Sequence, residues 1–171
     1  DHLRDFAGFD VLLTNPPFAG DLGEAWRGAY TLAADRPVER DLLFLERCVG
    51  LLRPGGRLAM VLPHGALAGA RGAAARRWLL ERVRVVAVIG LGRHTFQPHT
   101  SQKAAVLVGL RRPEPVRRFA EEEVLFFVSE REGKTPGGRL VRRADGAVDH
   151  DLGEVTEEVR ARLAAAEAAW A

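Results

Sequence analysis

An α/β fold built on an open, mixed sheet is what this sequence predicts, and three observations predict it. An apolar run, Phe9 to Thr14, stops abruptly at Asn15-Pro16-Pro17-Phe18. Two more apolar runs, Arg57 to Leu62 and Val85 to Ile89, each follow a stretch of helical pattern, Asp41 to Leu52 and Gly69 to Val83. Strands that alternate with helices in this way are the units of a sheet covered on its faces. A last apolar run, Lys103 to Leu110, is separated from Val85–Ile89 only by the loop Gly90 to Gln102, so this pair is expected to close the sheet with an antiparallel end.

Each element has its local reason. The strand Phe9 to Thr14 cannot continue into a helix, because Pro16 and Pro17 fix φ and carry no N–H, and Pro16 holds Asn15 out of the helical region. The turn therefore offers a side-chain amide, bare carbonyls and the Phe18 ring at the strand's carboxyl end, where open α/β sheets place their ligands. Ala19 to Arg40 is Gly-rich and aperiodic, a loop that would rim such a site. Its Trp26 and Tyr30 could stack on a ligand or simply pin the loop to the core. Asp41 to Leu52 has a dense apolar pattern, with Asp41 as the expected N-cap and Pro54-Gly55-Gly56 as the stop.

His64 follows the strand that ends at Pro63, again at a carboxyl end; it is expected to be a pocket wall or a structural residue, not a base. In the helix Gly69 to Val83, Trp78, Leu79 and Leu80 are the expected core contacts, while Arg71, Arg76, Arg77 and Arg82 point mainly outward, as a solvated face or a phosphate-facing surface. Beyond Arg112 the pattern weakens: a strand Val124 to Val128, a turn at Lys134 to Arg139, and a helix Glu154 to Ala171 with Val155, Val159, Leu163, Ala166 and Trp170 on one stripe. Residues 1–112 are thus expected to form the main unit and 113–171 a carboxyl-terminal extension of strand, turn and amphipathic helix.

The chemistry available at the first turn is specific. Asn15 Oδ1 and the Pro16 carbonyl are acceptors that can both face an amino group, and Phe18 offers a stacking surface for a planar base. An exocyclic amine held so loses conjugation with its ring and becomes a better nucleophile. The alternative is a stiff loop with a solvated amide and Phe18 in the core. No metal site is expected, since His94 and His99 are interrupted by Pro98 and joined by no nearby carboxylate or thiol. Cys48 is the single cysteine and sits in an apolar helical pattern, as a buried, inert thiol.

Asn-Pro-Pro-Phe after an apolar strand resembles the catalytic motif of amino-directed DNA methyltransferases. Leu42-Leu43-Phe44-Leu45-Glu46, Leu52-Arg53-Pro54-Gly55-Gly56-Arg57, Val61-Leu62-Pro63-His64-Gly65, Ala87-Val88-Ile89-Gly90-Leu91 and Phe96-Gln97-Pro98-His99-Thr100 follow in the order and rough spacing seen in the modification subunits of type I restriction systems. The resemblance runs to about Arg112. It implies the carboxyl-terminal half of a Rossmann-like S-adenosylmethionine-dependent methyltransferase fold, acting on adenine N6. Asn15, Pro16, Pro17 and Phe18 would be its catalytic residues and Phe18, Phe96, Pro98 and Thr100 its target-base contacts. Asp1-His2-Leu3 is similar to the family segment whose aspartate lies near the cofactor's adenine, which would make Asp1 a cofactor contact; an ordinary terminal Asp is the alternative.

No Gly-x-Gly-x-x-Gly loop follows a strand here, so the early cofactor-binding strands are expected to lie outside this chain, which would then be a fragment. Its open sheet edge would favour self-association. The rival readings are a cofactor-free DNA-binding or assembly subunit and a cytosine-N4 or other amino methyltransferase. The partners implied are duplex DNA and specificity and restriction subunits or domains. With 47% hydrophobic and 28% charged residues and a net charge of +2, the 171 residues read as an ordinary globular domain for which contact with a polyanion is permitted but not demanded. No apolar run approaches the roughly 18 residues needed to span a membrane, and the cytoplasm is the expected compartment.

Overall fold

The computed structural model describes residues 6–18, 28–33, 39–66, 68–70, 72–119 and 121–170. Among the described residues five strands, β1 (Phe9–Thr14), β2 (Leu52–Pro63), β3 (Val83–Gly90), β4 (Ala104–Arg111) and β5 (Leu125–Val128), join in the order β1-β2-β4-β3-β5. Pairing is parallel for β1 with β2 and for β3 with β5, and antiparallel where β4 meets β2 and β3. The sheet is therefore mixed, with the antiparallel β3–β4 pair that the short Gly90–Gln102 connection predicts. Among the described residues three helices accompany it: α1 (Arg40–Leu51), α2 (Ala73–Arg82) and α3 (Leu152–Ala168).

The register decides which side chains share a face. Leu58 lies opposite Gly109, Met60 opposite Leu107 and Leu62 opposite Ala105, so this set points one way. It meets Leu42, Leu45 and Val49 of α1 and Trp78 and Leu79 of α2 in one core. Leu45, Leu52 and Met60 are fully buried, each contributing on the order of 1.5–3 kcal/mol of burial free energy. On the other face Val86 and Leu110 pack with Ala166, and Leu163 and Trp170 of the carboxyl-terminal segment close over them. The carboxyl-terminal part of the stripe, Leu163, Ala166 and Trp170, is thus spent on this sheet. Arg57 adds a paired contact to Glu167 across the same joint, its Nη2 donating at 2.9 Å.

Two local expectations need correction. Asp41 is not the N-cap of α1: extended Glu39 (φ −63°, ψ 145°) occupies that position without a side-chain bond, and Asp41 lies inside the first turn, fully buried. Its Oδ1 accepts the Leu42 N–H at 2.9 Å, and burial, chiefly, pushes its pKa above the usual carboxylate range. The strand after α1 is also longer than expected. Pro54-Gly55-Gly56 does end the helix, but β2 begins at Leu52 and carries these residues as an irregularity against β1, where Phe9 pairs with Leu52 and Val11 with Arg57. Gly56 is required there, since a Cβ would sit 2.9 Å from the carbonyl oxygens of both Phe9 and Arg53.

The extension rejoins the sheet. β5 pairs with β3, and the segment after it forms antiparallel bridges Glu132 to His150 and Lys134 to Leu140 before α3. Of the loop Ala19–Arg40, Trp26 lies outside the described residues, while Tyr30 packs against the main core. No described helix is long and apolar enough to cross a membrane.

Candidate active site

Because β1, β2 and β3 run the same way, the ends of all three and the start of β4 come to one edge of the sheet. Three segments meet there: Asn15–Phe18 after β1, His64 after β2, and the residues 91–103 that link β3 to β4. At the turn, Pro16 is buried while Asn15 and Pro17 are exposed and Phe18 is half-buried. The rigid proline is anchored in the fold and the amide beside it faces outward. Among the described residues no hydrogen bond occupies the Asn15 side chain.

Phe18 does not stand alone. Its ring meets that of Phe96 edge-on, centroids 5.7 Å apart and planes at 89°. Edge-to-face pairs of this kind are worth about 0.5–1.5 kcal/mol beyond their buried area. The structure so brings together two of the residues expected to touch a target base, from loops 78 positions apart by number (96 − 18). Pro98 is exposed and follows a cis peptide bond. Thr100 is half-buried and turns back on its own loop: its N–H donates to the Phe96 carbonyl at 3.2 Å, and its Oγ1 accepts the Gln102 N–H at 3.1 Å. The Thr100 hydroxyl therefore shapes the loop. Asp1 lies outside the described residues.

His64 is exposed, its N–H donates to the Lys103 carbonyl at 2.9 Å, and it helps line an apolar cleft of about 360 Å³ with Pro63, Leu80, Val88 and Phe126. It is a wall and a link between β2 and the start of β4. His94 and His99 diverge: His99 is exposed, whereas His94 is half-buried with its Nδ1 3.3 Å from a Glu132 oxygen. Among the described residues no cluster of three or more His, Cys, Asp or Glu could hold a metal ion. Burial pushes the Cys48 thiol up, away from reactivity.

Sequence reasoning missed what lies behind the Phe96 loop. Glu132 and Lys134 reach it from the extension, the first accepting the His94 N–H and the second donating to the Gln97 carbonyl at 2.9 Å. The one available signal was the glycines: a Cβ on Gly92 would fall 2.0 Å from the Glu132 carboxylate.

With this geometry in hand, known proteins are informative. The sequence profile of the N-6 DNA methylase family matches residues 1–152. The methylase subunit of the type I restriction enzyme EcoEI of Escherichia coli is 31% identical over 100 residues, which make up 57% of this chain and 20% of that subunit. A chain from a structural study of the assembly and conformational transition of a type I restriction-modification system is 29% identical, with a TM-score of 0.61 over 92% of this chain and 30% of that one. The type I methyltransferase subunit of Streptococcus thermophilus superposes with a TM-score of 0.66 at 22% identity, over 93% of this chain and 33% of its own. The chain spans a third or less of the length of these relatives.

Proposed function

The chain belongs to the N-6 DNA methylase family, and on that premise we propose that it carries the target-base half of a site that methylates adenine N6 in duplex DNA. The family is one of S-adenosylmethionine-dependent N6-adenine DNA methyltransferases. What supports the reading most is the single arrangement of an exposed Asn15 beside a buried Pro16, with Phe18 set against Phe96.

The mechanism follows from that arrangement. An amino group inside a duplex is out of reach, so the target base is flipped out of the stack, at a cost of a few kcal/mol. Phe18 stacks on it, a contact worth about 1–3 kcal/mol. Asn15 Oδ1 and the Pro16 carbonyl accept the two N–H bonds of the amine, drawing its nitrogen out of conjugation and aiming the lone pair. S-adenosylmethionine, when bound, supplies a methyl on a sulfonium. Asn15 Oδ1 and the Pro16 carbonyl would hold the lone pair on the line to that methyl, which would pass from sulfur to nitrogen with loss of one amine proton to water. Pro17 keeps the turn stiff, and Phe96, Pro98 and Thr100 line the base side of the pocket. Positioning and local electrostatics supply the rate.

The described residues suit the acceptor half of such a site. Asp1 is the one residue here assigned near the cofactor's adenine; the remaining cofactor contacts belong to upstream strands of a longer protein. In this proposal residues 1–112 are the catalytic half and 113–171 the extension. The enzyme works in the cytoplasm on double-stranded DNA beside specificity and restriction subunits or domains, and this piece alone self-associates along β1. The deciding experiment is Asn15→Ala in the full-length protein. Adenine methylation should fall about 10²–10³-fold with S-adenosylmethionine affinity unchanged; methylation at the original rate would refute the role of the amide. Product analysis that finds N4-methylcytosine would move the substrate, not the mechanism.

A further inference from the structure

The loop that carries Phe96 has few means of its own to stay in place. Residues 92–100 are a chain of turns, closed by Gln97 N–H to the His94 carbonyl at 3.0 Å and His99 N–H to the Phe96 carbonyl at 3.0 Å. Phe96 is only half-buried, and the loop holds no helix or strand. These bonds close the loop on itself, and none of them joins it to another element.

Two side chains from the extension do so. Glu132 accepts the His94 N–H with one carboxylate oxygen, which also lies 3.3 Å from His94 Nδ1. Lys134 Nζ donates to the Gln97 carbonyl at 2.9 Å. Positions 94 and 97 bracket Phe96, so the ring projects from a stretch pinned on both sides. Close approach is built in at both contacts. Gly92 leaves room for the Glu132 carboxylate, and Gly138, at φ +82°, lets the turn touch Pro98, whose N would lie 2.8 Å from any Cβ there. The pinning segment is itself fixed, by the Glu132–His150 and Lys134–Leu140 bridges and by Asp151, which accepts the Ser129 hydroxyl at 2.6 Å and the Glu130 N–H at 2.7 Å.

We propose that Glu132 and Lys134 are positioning residues of the active site: they hold the Phe96 loop so that its ring meets Phe18 and completes the wall on which the target base stacks. The proposal rests on the function proposed above for Phe18 and Phe96. Its consequence is that the carboxyl-terminal extension, which among the described residues makes no hydrogen bond or ring contact with Asn15 or Phe18, sets how well a flipped base is received.

The test uses the full-length protein and two independent readouts. Hydrogen exchange, which needs no catalysis, should show the amides of residues 93–100 exchanging at least about 10-fold faster in Glu132→Ala and in Lys134→Met, with β3 and β4 unchanged. Glu132→Gln keeps an acceptor for the His94 N–H and should restore protection. In methyl transfer, Glu132→Ala should raise KM for DNA about 5- to 20-fold with a smaller change in kcat, and add nothing further once Phe96 is already alanine. Unchanged exchange in residues 93–100, acceleration spread over the whole sheet, or losses that multiply with Phe96→Ala would each overturn the proposal. If the unsubstituted protein transfers no methyl group, the site reading fails, and the exchange result alone decides whether the loop is held.

Discussion

Replacing Asp151 by alanine is the sharpest test of how the extension is anchored. Asp151 is 5% exposed and accepts three bonds: from Ser129 Oγ at 2.6 Å, from the Glu130 N–H at 2.7 Å and from the Arg131 N–H at 3.1 Å. Bonds to an ionised acceptor are worth about 1.5–3 kcal/mol each, but the sum overstates the loss. Glu130 and Arg131 are exposed, so water can take their amides, and the buried Ser129 hydroxyl retains the Arg131 carbonyl at 3.3 Å. We expect Asp151→Ala to cost about 2–3 kcal/mol at pH 7 and Asp151→Asn about half of that. Burial pushes the Asp151 carboxyl up, but the bonds from Ser129, Arg131 and Glu130 outweigh it and leave the pKa below its ordinary 3.8. A carboxyl depressed in the folded state stabilises fully above its unfolded pKa and loses that contribution as pH falls through the folded value. The gap between wild type and Asp151→Ala in urea unfolding should hold from pH 7 down to the unfolded value of 3.8 and close below it. A gap under about 0.5 kcal/mol at pH 7, or one that does not narrow in acid, would refute this account.

Three further outcomes are expected. Phe18→Ala and Phe96→Ala should each weaken base binding and couple by about 0.5–1.5 kcal/mol in a double-mutant cycle, as an edge-to-face pair does; strict additivity would show that the two rings do not act together. Asp41 is raised above its ordinary value by burial, so charging it opposes folding: stability should fall as pH rises from 3.8 through the folded pKa. Asp41→Asn should therefore gain in stability relative to wild type as pH rises through that range, and thermal melts across it check the sign. Calorimetry with S-adenosylmethionine should give binding by a chain extended upstream by about 100–150 residues and not by residues 1–171. Binding by neither would favour a cofactor-free DNA-contact or assembly subunit.

The sequence is legible where burial is symmetric. Val85–Ile89 and Lys103–Leu110 are continuous apolar runs because both their faces are covered, and the strands observed, Val83–Gly90 and Ala104–Arg111, differ from them by two residues or fewer at any end. The helix expected from Gly69 begins only at Ala73, since Gly69 takes a positive φ of 63°. Pro54-Gly55-Gly56 reads as a break because local rules see only the residues, whereas pairing with β1 absorbs them as an irregularity. The Asn15–Phe18 turn is legible for a similar reason: its stiffness is covalent and lies within four residues. Glu132 and Lys134 are not. Their contacts cross 38 and 37 residues, and which carbonyl or amide each reaches is set by how β5 docks on β3, which no short pattern encodes.

That contrast divides the site into two kinds of control. The turn is rigid by its own chemistry, but it sits at the end of β1, which among the described strands has only β2 beside it. Phe9 (48% exposed), Val11 (47%) and Leu13 (74%) alternate along one side of that strand. A strand with an open edge and an uncovered apolar face is held by half its usual contacts, so whatever pairs along β1 also sets where Asn15 and Phe18 stand. The opposite wall has the reverse character. The Phe96 loop is locally weak and takes its position from the extension at its back. A perturbation along β1 should then move Asn15 and Phe18 together and act on the chemical step, whereas one in the extension should move Phe96 alone and act on reception of the base. The edge-on contact between Phe18 and Phe96 is where the two influences meet, and it leaves at least one face of the Phe18 ring clear of Phe96, as the proposed stacking on a base requires.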